Sequence, residues 1–80
     1  MMTQNKKDSQ DKTYLEYIDS TKNISKFWEI TVEEKKFSVY FGRIGTKGFV
    51  KEKEFSSYEA AVKGAEKMIA SKIKKGYRKR

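Results

Sequence analysis

Trp28, Ile30 and Val32 alternate with Glu29 and Thr31, and Phe37, Val39 and Phe41 alternate with Ser38, Tyr40 and Gly42. A hydrophobic period of two marks a half-buried strand, so residues 26–32 and 37–43 are predicted to be strands. Between them, Glu33, Glu34, Lys35 and Lys36 break the alternation with four charges and read as a hairpin connection. Arg43 continues the Phe37, Val39 and Phe41 face if the strand stays regular that far. Phe27 falls on the polar side of its strand, where a helix, a partner or a neighbouring strand would meet it. Residues 14–18 (Tyr-Leu-Glu-Tyr-Ile) are rich in strand formers, with imperfect alternation. Thr21, Lys22 and Asn23 follow as a turn. Residues 49–55 alternate weakly and carry Lys51, Glu52, Lys53 and Glu54, a charge density that suits an exposed edge strand.

The period then changes. Ser56 to Glu59 fits a capping box, with Ser56 as N-cap and Glu59 at the third helical position. Tyr58, Ala61, Val62, Ala65, Met68, Ile69, Lys72 and Ile73 recur on one helical face. Gly76 is placed to stop the helix. Gly64, inside it, costs roughly 1 kcal/mol relative to alanine. The helix has no second helix to bury against, so it is expected to lie across the sheet. The predicted fold is therefore α+β: a small antiparallel sheet of four to five strands, with one long C-terminal helix packed on it. Residues 1–12 are polar and read as a disordered leader, and residues 13–80 form the domain, with a basic C-terminal end.

Charge changes the picture more than composition does. The chain of 80 residues carries a formal charge of +8. Residues 1–62 hold 11 basic and 10 acidic side chains, whereas residues 63–80 hold 8 basic and one acidic. Charge gathered on one element focuses a field on a polyanion. Lys63, Lys67, Lys74, Lys75, Arg78, Lys79 and Arg80 are candidates for neutralising phosphates. The other reading is a solvated face that complements the helix dipole. Tyr77 adds an aromatic ring to this cluster. The basic end reads as an electrostatic tail, whose removal from residue 73 onward flattens salt dependence more than it lowers stability.

Cysteine and histidine are both absent. Disulfides, thiolate metal sites and the usual general base are therefore excluded. Carboxylates number eleven, none with an evident acid–base partner. No cofactor, metal or enzymatic activity is expected. No apolar run is long enough to span a membrane, and the N-terminus lacks a signal-peptide centre. A cytoplasmic monomer is expected, nuclear if the source has a nucleus.

The candidate chemistry lies in residues 39–48, Val-Tyr-Phe-Gly-Arg-Ile-Gly-Thr-Lys-Gly. Gly42, Gly45 and Gly48 serve either a tight hairpin or a close approach of backbone amides to a phosphate. The spacing is neither that of a P-loop nor that of a dinucleotide fingerprint. Arg43 either holds a phosphate or ties the turn together, and Lys47 within the turn is a further candidate contact. Phe41 is either core or a contact at the sheet's rim. Trp28 is the sole tryptophan and, in the core, reports folding rather than ligand.

Lys26-Phe27-Trp28-Glu29-Ile30, then Phe41-Gly42-Arg43-Ile44-Gly45 and Gly48, then a single helix, together resemble the WGR domain over residues 14–77. That family is named for a Trp-Gly-Arg motif ending a strand. Phe41 stands here where the motif has tryptophan. It keeps a flat face for stacking and loses the indole N–H. The resemblance implies a compact antiparallel sheet with one helix. It also implies a role like that in DNA-dependent poly(ADP-ribose) polymerases, where the domain helps bind DNA ends and breaks. Phe41, Gly42 and Arg43 would face the nucleic acid or a neighbouring domain. The expected function is thus a nucleic-acid-binding module that contacts DNA backbone or ends without strong sequence specificity. Its expected site is Phe41, Gly42, Arg43, Lys47, Lys74, Lys75, Tyr77 and Arg78. The alternative is a protein-interaction or regulatory module docking an acidic partner or a separately encoded enzyme.

Overall fold

The computed structural model describes residues 12–80, so the expected leader lies outside the described residues except for Lys12. The elements are β1 (Lys12–Asp19), β2 (Ile24–Glu33), β3 (Lys36–Arg43), β4 (Phe49–Glu54), α1 (Tyr58–Lys74) and β5 (Arg78–Lys79). They form one antiparallel sheet in the order β4-β3-β2-β1-β5. The α+β architecture is the one expected. The fifth strand follows the helix instead of preceding it. Gly76, at φ 115°, turns the chain back after the helix, and Arg78 and Lys79 pair with Glu16 and Leu15.

Short turns hold the meander. Asn23 takes φ 60° before β2, a left-handed conformation that asparagine tolerates. The Asp19 carboxylate accepts hydrogen bonds from the Thr21 amide at 3.1 Å and the Thr21 hydroxyl at 2.6 Å. Glu34, at φ 56°, is one of the two turn residues between β2 and β3.

Residues directly opposite in an antiparallel pair share a face. Trp28 opposes Leu15 and Phe41, Ile30 opposes Val39, and Val32 opposes Phe37. This face carries the core, with Ala61 and Ala65 of α1 and Tyr77 packed on it. Leu15 and Ile30 are fully buried, each contributing about 1.5–3 kcal/mol relative to exposure. Gly64 lets the helix approach closely, since a Cβ there would lie 2.8 Å from the Phe55 ring. Phe27 points to the reverse face and is buried between Tyr14 and Tyr40, with ring centroids at 6.5 and 4.9 Å. A neighbouring strand thus supplies its contacts.

Three expectations change. The N-cap is Ser57, not Ser56: the Ala60 amide donates to Ser57 Oγ at 3.1 Å. Glu59 is therefore the second helical residue, and no capping box forms at Ser56. Ser57→Ala is expected to cost about 1 kcal/mol, and Ser56→Ala less than about 0.5 kcal/mol, in urea unfolding followed by circular dichroism. The helical stripe is also narrower than predicted, with Tyr58 44% and Ile73 39% exposed at its ends. Finally, the C-terminus is not a separable tail. Tyr77 is buried in the core, so removing residues 73–80 takes a core ring and β5 with it.

No helix among the described residues is long and apolar enough to cross a membrane.

Candidate nucleic-acid interface

The turn after β3 is built on the reverse face. Gly42 opposes Phe27 there, and a Cβ on Gly42 would lie 2.7 Å from the Gly48 Cα. The loop folds back onto that spot. The Tyr40 hydroxyl donates to the Lys47 carbonyl and pins it. The Thr46 amide and hydroxyl both donate to the Arg43 carbonyl, at 3.1 and 2.7 Å. Gly42 and Gly48 therefore serve backbone-to-backbone packing. Arg43, at the end of β3, is exposed.

On the helix side Arg43 lies directly opposite Lys26. In β4, Phe49 lies opposite Phe41, Lys51 opposite Val39 and Lys53 opposite Phe37. The last turns of α1 bring Met68 and Lys72 over the same area. The result is a groove of about 720 Å³. Its floor is Trp28, Val39 and Phe41, Tyr77 forms part of its wall, and Lys26, Arg43, Lys51, Lys53 and Lys72 supply its positive charge.

Lys72 is the most constrained of these cations. Its Nζ sits 5.9 Å from the Trp28 ring and 5.5 Å from the Tyr77 ring, in cation–π range. Burial, followed by the charges of Lys75 and Lys26, holds its pKa below the ordinary lysine value. A group so placed gains from any anion entering the groove. Lys51 stands 6.0 Å from the Phe41 ring and Lys53 5.5 Å from the Phe55 ring. Tyr77 is a packed ring: burial, then Tyr17, raises its pKa.

The sheet separates charge by face. The ion pairs among the described residues are Lys12–Glu29 at 3.6 Å, Lys36–Glu52 at 3.4 Å and Arg80–Glu16 at 3.4 Å. The strand register places Glu16, Glu29 and Glu52 on the reverse face, and Glu52, paired with Lys36, also borders the groove at its β4 edge. Tyr14 joins that set by donating to Glu16 at 2.6 Å, which pushes its pKa up to about 12. On the helix side, Lys26, Arg43, Lys51, Lys53 and Lys72 have no carboxylate partner among the described residues. Unpaired like charges gathered over a low-dielectric wall focus a positive potential.

Of the eight predicted site residues, Phe41, Gly42, Arg43 and Tyr77 line the groove, and Lys75 lies close enough to depress Lys72. Phe41 is half-buried: it packs on the core and also lines the groove. Lys47 is held by its carbonyl to Tyr40, Lys74 is exposed at the helix end, and Arg78 pairs in register with Glu16; none of the three lines the groove. Lys26, Lys51, Lys53 and Lys72 also line the groove and were not among the candidates drawn from the sequence. Their signals were present as cations at core-facing positions: Lys26 two before Trp28, Lys51 and Lys53 in phase with Phe49, and Lys72 inside the helical stripe. Among the described residues no cluster of His, Cys, Asp or Glu is suited to a metal ion.

A family model, the WGR domain, matches residues 11–80. The Escherichia coli protein YfeS is 43% identical over 61 residues, covering 76% of this chain and 24% of YfeS. Protein YehF of the same organism is 36% identical over 61 residues, covering 76% of this chain and 22% of YehF. The crystal structure of a Bacteroides fragilis protein superposes with a TM-score of 0.81 at 39% identity, covering 86% of this chain and 19% of that one. The chain thus spans less than a quarter of the length of each of these relatives. The match extends across β1 to β5 and includes the strand end, the glycine turn and the helix that build the groove: the chain belongs to the WGR domain family, a family of nucleic-acid-binding modules.

Proposed function

We propose that this domain binds nucleic acid through its helix-side groove, contacting DNA backbone at ends and breaks with little reading of base sequence. The observation that carries this is the separation of charge across the sheet. Carboxylates neutralise cations on one face, and five cations stand without such partners around one groove on the other. Arg43 offers two donors in one plane to a phosphate. Phosphate contacts supply the affinity, since among the described residues no row of Arg, Asn or Gln is presented for paired contacts to base edges. The role proposed is binding, with no catalytic step.

Binding of blunt linear, nicked and closed-circular DNA at two salt concentrations tests the reading. Linear and nicked DNA are expected to bind more tightly than closed-circular DNA. Arg43→Ala is expected to weaken binding by roughly tenfold, about 1.4 kcal/mol, and to erase the preference. Equal, weak and salt-erased binding to all three reduces the site to charge attraction. No binding at low salt, with an acidic protein bound instead, replaces nucleic acid by a protein partner.

A further inference from the structure

Backbone contact accounts for the cations, and Trp28 and Val39 on the floor belong to the core, but the rings of Phe41 and Phe49 at the groove surface are left without a role. A phosphate gains nothing from Phe41 or Phe49, and the paired bases of an intact duplex are stacked on one another. The β4 side of the groove carries the most exposed large apolar side chain among the described residues, Phe49, at 69%. Its ring lies 5.9 Å from that of Phe41, at 39° to it. An apolar ring presented on an edge strand is a liability unless something uses it. The exposed ring of Phe49 and the half-buried ring of Phe41, beside Arg43, Lys26, Lys51 and Lys53, combine a stacking platform with a phosphate track, the pairing that unpaired strands require.

We propose that the groove receives the unpaired nucleotides of a single-stranded segment, with bases against Phe41 and Phe49 and phosphates on the surrounding cations. This rests on the nucleic-acid reading above and makes it more specific. It also gives the expected preference for ends and nicks a cause, because base pairs fray there and release unpaired nucleotides. Charge alone favours the opposite order, since a duplex carries the higher charge density and the steeper counterion release.

Four fluorescein-labelled probes test it by anisotropy with the full chain at one salt concentration: a blunt duplex, the same duplex with an unpaired thymidine tail, a thymidine oligomer and a uridine oligomer. The tailed duplex and at least one oligomer are expected to bind tenfold or more tightly than the blunt duplex. Whichever oligomer binds more tightly identifies the sugar preferred. Phe49 is exposed, so Phe49→Ala leaves the fold intact by circular dichroism. It is expected to weaken the tailed duplex and the oligomers far more than the blunt duplex and so to remove most of the preference. Arg43→Ala is expected to weaken every probe. Equal binding of blunt and unpaired probes overturns this inference and leaves backbone contact standing. A preference that survives both Phe49→Ala and Phe41→Leu also overturns it. Failure of every probe to bind overturns the nucleic-acid reading itself.

Discussion

Gly48→Ala is expected to destabilise the domain by about 2–5 kcal/mol. Two separate causes add. Gly48 takes φ 75°, where a Cβ meets the following carbonyl at a cost of about 1–2 kcal/mol. That Cβ would also lie 2.6 Å from the Phe41 carbonyl oxygen and 2.7 Å from the Phe27 ring. One contact is backbone and the other a buried side chain, so neither gives way easily. Overpacking of this kind adds about 1–3 kcal/mol. Against a total of roughly 0.05–0.15 kcal/mol per residue, such a loss brings the domain near unfolding at ordinary temperature. Gly45→Ala is the control. Gly45 has φ 91° and nothing within 4 Å of its virtual Cβ, so only the backbone cost of about 1–2 kcal/mol applies. Urea unfolding followed by the fluorescence of Trp28, which is 2% exposed, measures both. If the two variants lose the same stability, the loop is not packed on Phe27 and β3 as described.

The same contacts explain which parts of the fold were legible along the chain. Trp28, Ile30 and Val32 and their partners Phe37, Val39 and Phe41 alternate because one side of each strand meets a helix. Alternation is a local property, so those strands and their faces could be read directly. Glycines 42 and 48 announced a constraint but not its nature. They pack against each other and against Phe27, a residue whose burial on the polar side of its strand has no local signature. The helix start was misplaced by one residue because Ser56 and Ser57 are both good caps and Glu59 favoured the wrong one. Strand β5 is two charged residues held by pairing with β1. Nothing in its composition distinguishes it from a solvated tail.

The site was legible only in part, for a related reason. Charge counted along the sequence points to the helix end, whereas four of the five cations that line the groove come from the sheet. Lys26 comes beside Arg43, and Lys51 and Lys53 come beside Val39 and Phe37, only once β2, β3 and β4 pair in register. Lys72 was recognisable by position: a lysine inside an apolar helical stripe either snorkels outward or has something to meet. Here it meets two rings and the charges of Lys26 and Lys75. The strand-end arginine and the helix meet at the groove through Lys72, whereas Lys74 and Arg78 do not line it.

The salt dependence of binding should follow this arrangement. Neutralising about five phosphates gives a slope of log affinity on log salt of about −0.9 per phosphate for duplex and −0.7 for single strands, so affinity falls roughly one hundred- to five hundredfold between about 50 and 200 mM salt. Replacing Lys26, Arg43, Lys51 and Lys53 together by glutamine should leave only Lys72, and the loss over that range should shrink to a few-fold. All four are exposed, so stability should shift little, surface changes being worth about 0.5 kcal/mol or less each. The matched control changes Lys12, Lys36 and Arg80 to glutamine. These face carboxylates at 3.6, 3.4 and 3.4 Å, and a cation already paired has less to offer an incoming phosphate. The control should therefore bind with nearly the original slope. Isothermal titration or anisotropy at four salt concentrations gives both slopes. If the control set flattens the dependence as much as the groove set does, attraction is spread over the whole cationic surface and the groove holds no privileged place in it.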